Sequence, residues 1–113
     1  MDIDSKTEDR LRIVSIKALR IDAAVAIEFK DAMRENTDDG PDLIVLDLSC
    51  VEFIDSSGLG AIVASLKHLD GRRQLALAGL TPTVARVFEL TRMDTVFKIF
   101  PTLDGALTEL KAS

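Results

Sequence analysis

The sequence predicts an α/β fold, a single domain over residues 1–113 built on one mixed sheet of four to five strands with about four helices. Two observations carry that expectation. The run Leu43-Ile44-Val45-Leu46-Asp47-Leu48 is apolar, rich in β-branched residues and of strand length, the pattern of a strand covered on both faces. Downstream, Leu59, Ile62, Val63 and Leu66 fall at i, i+3, i+4 and i+7, one apolar helix face, and Leu75-Ala76-Leu77-Ala78-Gly79 returns to a strand-like run. Strand, helix and strand in that order form a βαβ unit, with parallel strands and a right-handed crossover.

The elements follow in chain order. Ile3 to Thr7 reads as a weak strand and Leu11 to Ile16 as a better one, together a hairpin. Asp22 is a good N-cap for a first helix, in which Val25, Phe29, Ala32 and Met33 keep helical spacing until Asn36-Thr37-Asp38-Asp39-Gly40-Pro41 breaks it. After the strand at 43–48, the second helix runs to about Asp70-Gly71, and the strand at 75–79 follows. Thr81-Pro82 supplies an N-cap and a first-turn proline for a short helix carrying Val84, Val87 and Phe88. Val96 to Phe100 is the last strand, and Thr102 caps a final helix with Leu103, Ala106, Leu107 and Leu110 on one face. The helices are expected mainly on one face of the sheet or wrapped around it.

Composition narrows the function classes. At 113 residues and 47% hydrophobic content, the chain can bury one core, while its apolar runs fall far short of the roughly 18 residues of a membrane span. No direct membrane insertion is expected. The start, Met1-Asp2-Ile3-Asp4-Ser5-Lys6, lacks the layout of a secretory signal, and one cysteine allows no internal disulfide, so a cytoplasmic location is expected. Net charge is −5, and Arg72-Arg73 is only a pair in a turn, so nucleic acid is not an expected partner.

Enzyme chemistry finds little to build on. His68, the sole histidine, lies on the polar side of the second helix and reads as a solvated residue. Cys50 follows a core strand and reads as a buried apolar thiol. Asp55-Ser56-Ser57-Gly58 lacks the glycine that precedes the serine of a nucleophile elbow. Neither a Cys/His cluster for zinc nor a phosphate-cradling G-x-x-x-x-G-K-[ST] loop is present. The expectation is no enzyme, no metal and no cofactor.

What remains is Asp55-Ser56-Ser57-Gly58-Leu59-Gly60, two hydroxyls where a strand gives way to a helix. Free N–H groups and the helix dipole favour an anion there, and Ser56 or Ser57 falls at or beside the N-cap. Ser and Asp are also ordinary capping residues, so the pattern alone fits a plain helix start. Gly58 and Gly60 cost roughly 1 kcal/mol each inside a first turn, which close approach of another backbone or a tight packing site would offset.

Phe53-Ile54-Asp55-Ser56-Ser57-Gly58-Leu59-Gly60, after a Leu-Ile-Val-Leu strand, resembles the signature of the STAS domain family, specifically the bacterial anti-sigma factor antagonists. The resemblance extends to Arg20-Ile21-Asp22-Ala23, to Thr81 through Leu90 and to Val96 through Phe100, nearly the whole chain. It implies partner switching: the unmodified protein binds an anti-sigma factor of GHKL-type kinase fold and frees a sigma factor. The kinase phosphorylates the serine after the aspartate, and a PP2C-type phosphatase reverses this. That serine is Ser56 here, with Ser57 second, and the implied partner surface comprises Asp22, Ala23, Ile27, Asp55, Ser57, Gly58, Leu59 and Gly60. Ala23 and Ile27 enter as a second apolar stripe expected on the first helix.

Two departures from the family pattern stand out. Leu19, after Ala18, replaces the usual glycine before the Arg20-Ile21-Asp22 turn, and the usual glycine after the third helix is replaced around Arg92-Met93-Asp94. The alternative reading is a STAS regulatory subunit or scaffold, of a lipid ABC transporter or of stressosome type, acting without phosphorylation. A third is a small-ligand binder at the carboxyl ends of the parallel strands.

Overall fold

The computed structural model describes residues 1–69, 71 and 73–112. In chain order its elements are β1 (Ile3–Glu8), β2 (Leu11–Ile16), β3 (Arg20–Ile21), α1 (Ala26–Thr37), β4 (Leu43–Asp47), β5 (Phe53–Ile54) and α2 (Ser56–His68), then β6 (Gln74–Ala78), α3 (Pro82–Leu90), β7 (Lys98–Phe100) and α4 (Leu103–Lys111). Five strands form the main sheet in the order β1-β2-β4-β6-β7, while β3 and β5 make a separate two-stranded ribbon. Only β1–β2 is antiparallel; β2–β4, β4–β6 and β6–β7 are parallel, as the strand–helix–strand pattern requires.

Alternation along the central strands divides the core. Val14, Ile16, Ile44, Leu46, Leu75 and Leu77 face one side, where they meet Phe29 and Met33 of α1, Ala61 and Ile62 of α2, and Val84 and Phe88 of α3. Leu11, Ile13, Val45, Ala76 and Ala78 face the other, against Ala106 and Leu110 of α4. Both faces are covered, which is why β4 reads as an unbroken apolar run. At the carboxyl end of β4, Asp47 accepts from the Ser49 N–H at 3.0 Å and turns the chain out of the sheet.

Several expected boundaries move. Asp22 does not cap α1, which starts at Ala26 after Val25 with no side-chain cap. Asp22 instead closes a turn before it, its Oδ1 accepting from the Ala24 N–H at 3.1 Å and its carbonyl from the Val25 N–H at 3.0 Å. Ala23 therefore lies in that turn and shares no helical stripe with Ile27. The last strand starts at Lys98, because Met93–Thr95 forms a single 3₁₀ turn. Thr81 precedes α3 as expected, yet its hydroxyl donates to the Val51 carbonyl at 2.8 Å rather than capping the helix, whereas Thr102 does cap α4. The second helix ends at His68; Asp70 and Arg72 lie outside the described residues. Cys50 is half-buried rather than buried.

The two departures from the family pattern resolve differently. Arg92 takes φ 60, a left-handed conformation that glycine adopts without strain. Leu19 has no such φ; its carbonyl accepts the Glu52 and Phe53 N–H groups at 2.8 and 3.2 Å, and its side chain is exposed.

Candidate functional site

The β3–β5 ribbon sets the site. Its register places Arg20 beside Phe53 and Ile21 beside Ile54, with both isoleucines buried. Leaving β5, the chain reaches Asp55 in extended conformation and enters α2, so Asp55 is the N-cap, Ser56 the first helical residue and Ser57 the second. Both serines are exposed, and Ser56 sits beside the cap, one of the two places the sequence allowed.

One carboxylate holds two segments together. Asp55 Oδ1 accepts from the Gly58 N–H at 2.8 Å, capping α2, while Oδ2 accepts from the Ala23 N–H at 3.1 Å in the turn before α1. The Gly58 N–H holds the Asp55 carboxyl below the usual aspartate range; partial burial opposes this, and the Ala23 and Ser57 N–H groups add to the lowering. The anion-binding place predicted at this helix start is thus occupied by the chain's own carboxylate.

Gly58 is fixed by sterics. A Cβ there would lie 1.9 Å from the Ile21 carbonyl oxygen, so α2 crosses β3 at a distance only glycine permits. The backbone that approaches Gly58 is therefore internal, and its inclusion in the partner surface is corrected to a packing role. Gly60 is the opposite case: nothing lies within 4 Å of a Cβ built on it, and it is exposed. Leu59 is half-buried and packs on the core.

Around this crossing, the structure joins Asp22 and Ala23 to Asp55 and leaves Ile27 exposed on the first turn of α1. Asp22 Oδ2 also accepts from Arg20 Nε at 3.2 Å, and the Arg20 guanidinium lies 4.6 Å from the centre of the Phe53 ring. The exposed Leu19 and Phe53 and the Arg20–Phe53 stack are parts of this surface that sequence reasoning missed. Strands of two residues are too short to show a period.

Chemically the arrangement presents a hydroxyl and does not activate one. Asp55 is a weak base because N–H donors stabilise its ionised form. His68 lies at the far end of α2, about 18 Å along the axis from Ser56 at 1.5 Å per residue, and its Nε2 meets Asp38 Oδ1 at 3.0 Å. A cleft lined by Asp9, Arg10, Leu11, Asp42 and Leu43 lies at the amino ends of β2 and β4, opposite the edge where a strand-end ligand was considered. None of the described helices is long and apolar enough to cross a membrane.

Comparison with known proteins agrees with the local geometry. The family model for the STAS domain matches residues 2–106. The anti-sigma-F factor antagonist RsfB of Mycobacterium tuberculosis is 31% identical over 91 residues, 80% of this chain and 75% of that one. For the anti-sigma-B factor antagonist of Listeria monocytogenes the identity is 32% over 100 residues, 88% of either chain. A crystal structure of an anti-sigma factor antagonist from Mycobacterium paratuberculosis matches with a TM-score of 0.87 and 31% identity, covering 97% of this chain and 93% of that one.

Proposed function

Because the chain belongs to the STAS domain family, we propose that it is an anti-sigma factor antagonist whose binding is switched by phosphorylation of Ser56. Unphosphorylated, it binds an anti-sigma factor of GHKL-type serine kinase fold and frees the sigma factor. The kinase then modifies Ser56, and a PP2C-type phosphatase restores the hydroxyl. The chain is substrate and binder in the cytoplasm and performs no catalysis of its own.

The observation that carries this reading is the exposed Ser56 on a start of α2 whose anion place Asp55 already fills. A phosphate adds about −1.5 to −2 charge at pH 7. Since the Gly58 N–H is taken by Asp55, the new charge faces outward beside two carboxylates, Asp55 and Asp22. Repulsion and desolvation against the partner then weaken binding. Asp22, Ala23, Asp55, Ser57, Leu59 and Gly60 border that face, and Arg20, Leu19 and Phe53 extend it with exposed apolar and cationic surface. Ile27 is an outer contact of the same partner.

Incubation with GHKL-type serine kinases and ATP, followed by mass mapping, is expected to place a single phosphate on Ser56. Ser56→Ala retains anti-sigma binding and Ser56→Asp weakens it. Equal binding by both variants refutes the switch, and no phosphate from any such kinase favours a STAS scaffold or transporter subunit.

A further inference from the structure

The edge strand β1 carries a pattern that the partner switch does not use. It lies at the end of the main sheet with β2 on one side only, and Asp4, Ser5, Lys6 and Thr7 are exposed. Which backbone groups are free follows from the hairpin register. The Lys17 N–H donates to the Asp2 carbonyl at 2.9 Å, so Asp2 and Lys17 are a hydrogen-bonded pair. Alternation then makes Asp4–Ser15, Lys6–Ile13 and Glu8–Leu11 the other hydrogen-bonded pairs, and the N–H and C=O groups of Ile3, Ser5 and Thr7 point to the open edge.

A second copy related by a two-fold axis perpendicular to the sheet adds its own β1 antiparallel. Such symmetry opposes residues of the same parity, which leaves few registers. Centred on Lys6, the pairing sets Lys6 against Lys6 and Asp4 against Glu8; centred on Asp4, it sets Asp4 against Asp4. Centred on Ser5, it opposes Asp4 of each copy to Lys6 of the other, and opposes Ile3 to Thr7. In that register the outward-facing Ile3, Ser5 and Thr7 form the hydrogen-bonded pairs, while Asp4 and Lys6 form non-hydrogen-bonded pairs, where side chains approach closest. Charged residues on an edge usually oppose association; here their order selects one self-complementary register.

We propose that two copies of this chain associate through β1, antiparallel and centred on Ser5, to form one continuous ten-stranded sheet. The area buried by one short edge is below that of a standard interface, so the dimer is weak and forms in the upper micromolar range or above. β1 takes no part in the crossing of Ile21, Asp55 and Gly58, so both copies keep their serine face.

Sedimentation velocity over a concentration series of the full chain tests this. The wild type is expected to shift from monomer towards dimer as concentration rises. Asp4→Lys or Lys6→Asp alone puts like charges opposite each other and weakens association by roughly tenfold or more, while the double variant Asp4→Lys/Lys6→Asp restores it. Ser5→Pro, which deletes an outward N–H and leaves the β2 ladder intact, abolishes it. A wild type that stays monomeric throughout overturns the proposal, as does a dimer indifferent to the single reversals or not recovered by the double one. All four changes fall on exposed positions, and circular dichroism confirms the fold of each variant.

Discussion

At Gly58 and Gly60 the same residue type serves two unrelated needs. The Cβ of an alanine at 58 would meet the Ile21 carbonyl oxygen at 1.9 Å, a backbone atom that cannot rotate away. Gly58→Ala must push α2 off the ribbon and is expected to cost about 3 kcal/mol or more, as overpacking at a rigid contact does. An alanine at 60 meets nothing within 4 Å and gains helix propensity, so Gly60→Ala is expected to stabilise by about 0.5–1 kcal/mol. Thermal denaturation of the two variants checks the difference in sign. If Gly60→Ala keeps the fold yet loses partner binding, the open space over residue 60 is where a partner approaches. The sequence allowed close backbone approach as a reason for both glycines, but only the fold brings Ile21 under one of them. Arg92 carries the same lesson: its absence of glycine was legible, and its φ of 60 was not.

At the level of elements, α2 was legible from its apolar spacing, and β4 and β6 from their unbroken runs, because each signal is local and repeated. The start of α1 was misplaced because Asp22 has the chemistry of a cap, and nothing in the sequence tells a helix cap from a turn that closes residues earlier. Its neighbour Ala23 gives up its N–H to Asp55 Oδ2, so one carboxylate couples the α1 approach to the first turn of α2. This coupling depends on ionisation. Since the folded carboxyl titrates below the ordinary aspartate value, it contributes stability in full above about pH 4 and loses it as pH falls through the lower folded value. Amide exchange at Ala23 and Gly58 is expected to accelerate together in that acidic window, and Asp55→Asn to show the faster exchange already at neutral pH. Exchange that accelerates at Gly58 alone would mean that the Ala23 contact is not held by the same group.

For the whole molecule, the fold class and the seat of Ser56 were legible because both follow from the order strand, DSSG, helix. The β3–β5 ribbon that builds the surface around that serine was not, since its strands join distant dipeptides. That ribbon makes the site stiff. Ile21 and Ile54 are buried in the larger core, Gly58 abuts the Ile21 carbonyl, and Asp55 ties both ends of the crossing, so the first turn of α2 has no second arrangement to adopt at low cost. A phosphate on Ser56 therefore acts through charge at the surface. Backbone amide NMR shifts of the phosphorylated and unmodified forms are expected to differ at residues 20–24 and 53–60 and to coincide along β2, β4, β6 and α4. Shifts spread through those core elements would show that the switch works by rearranging the domain, and the electrostatic account of binding loss would fail with them.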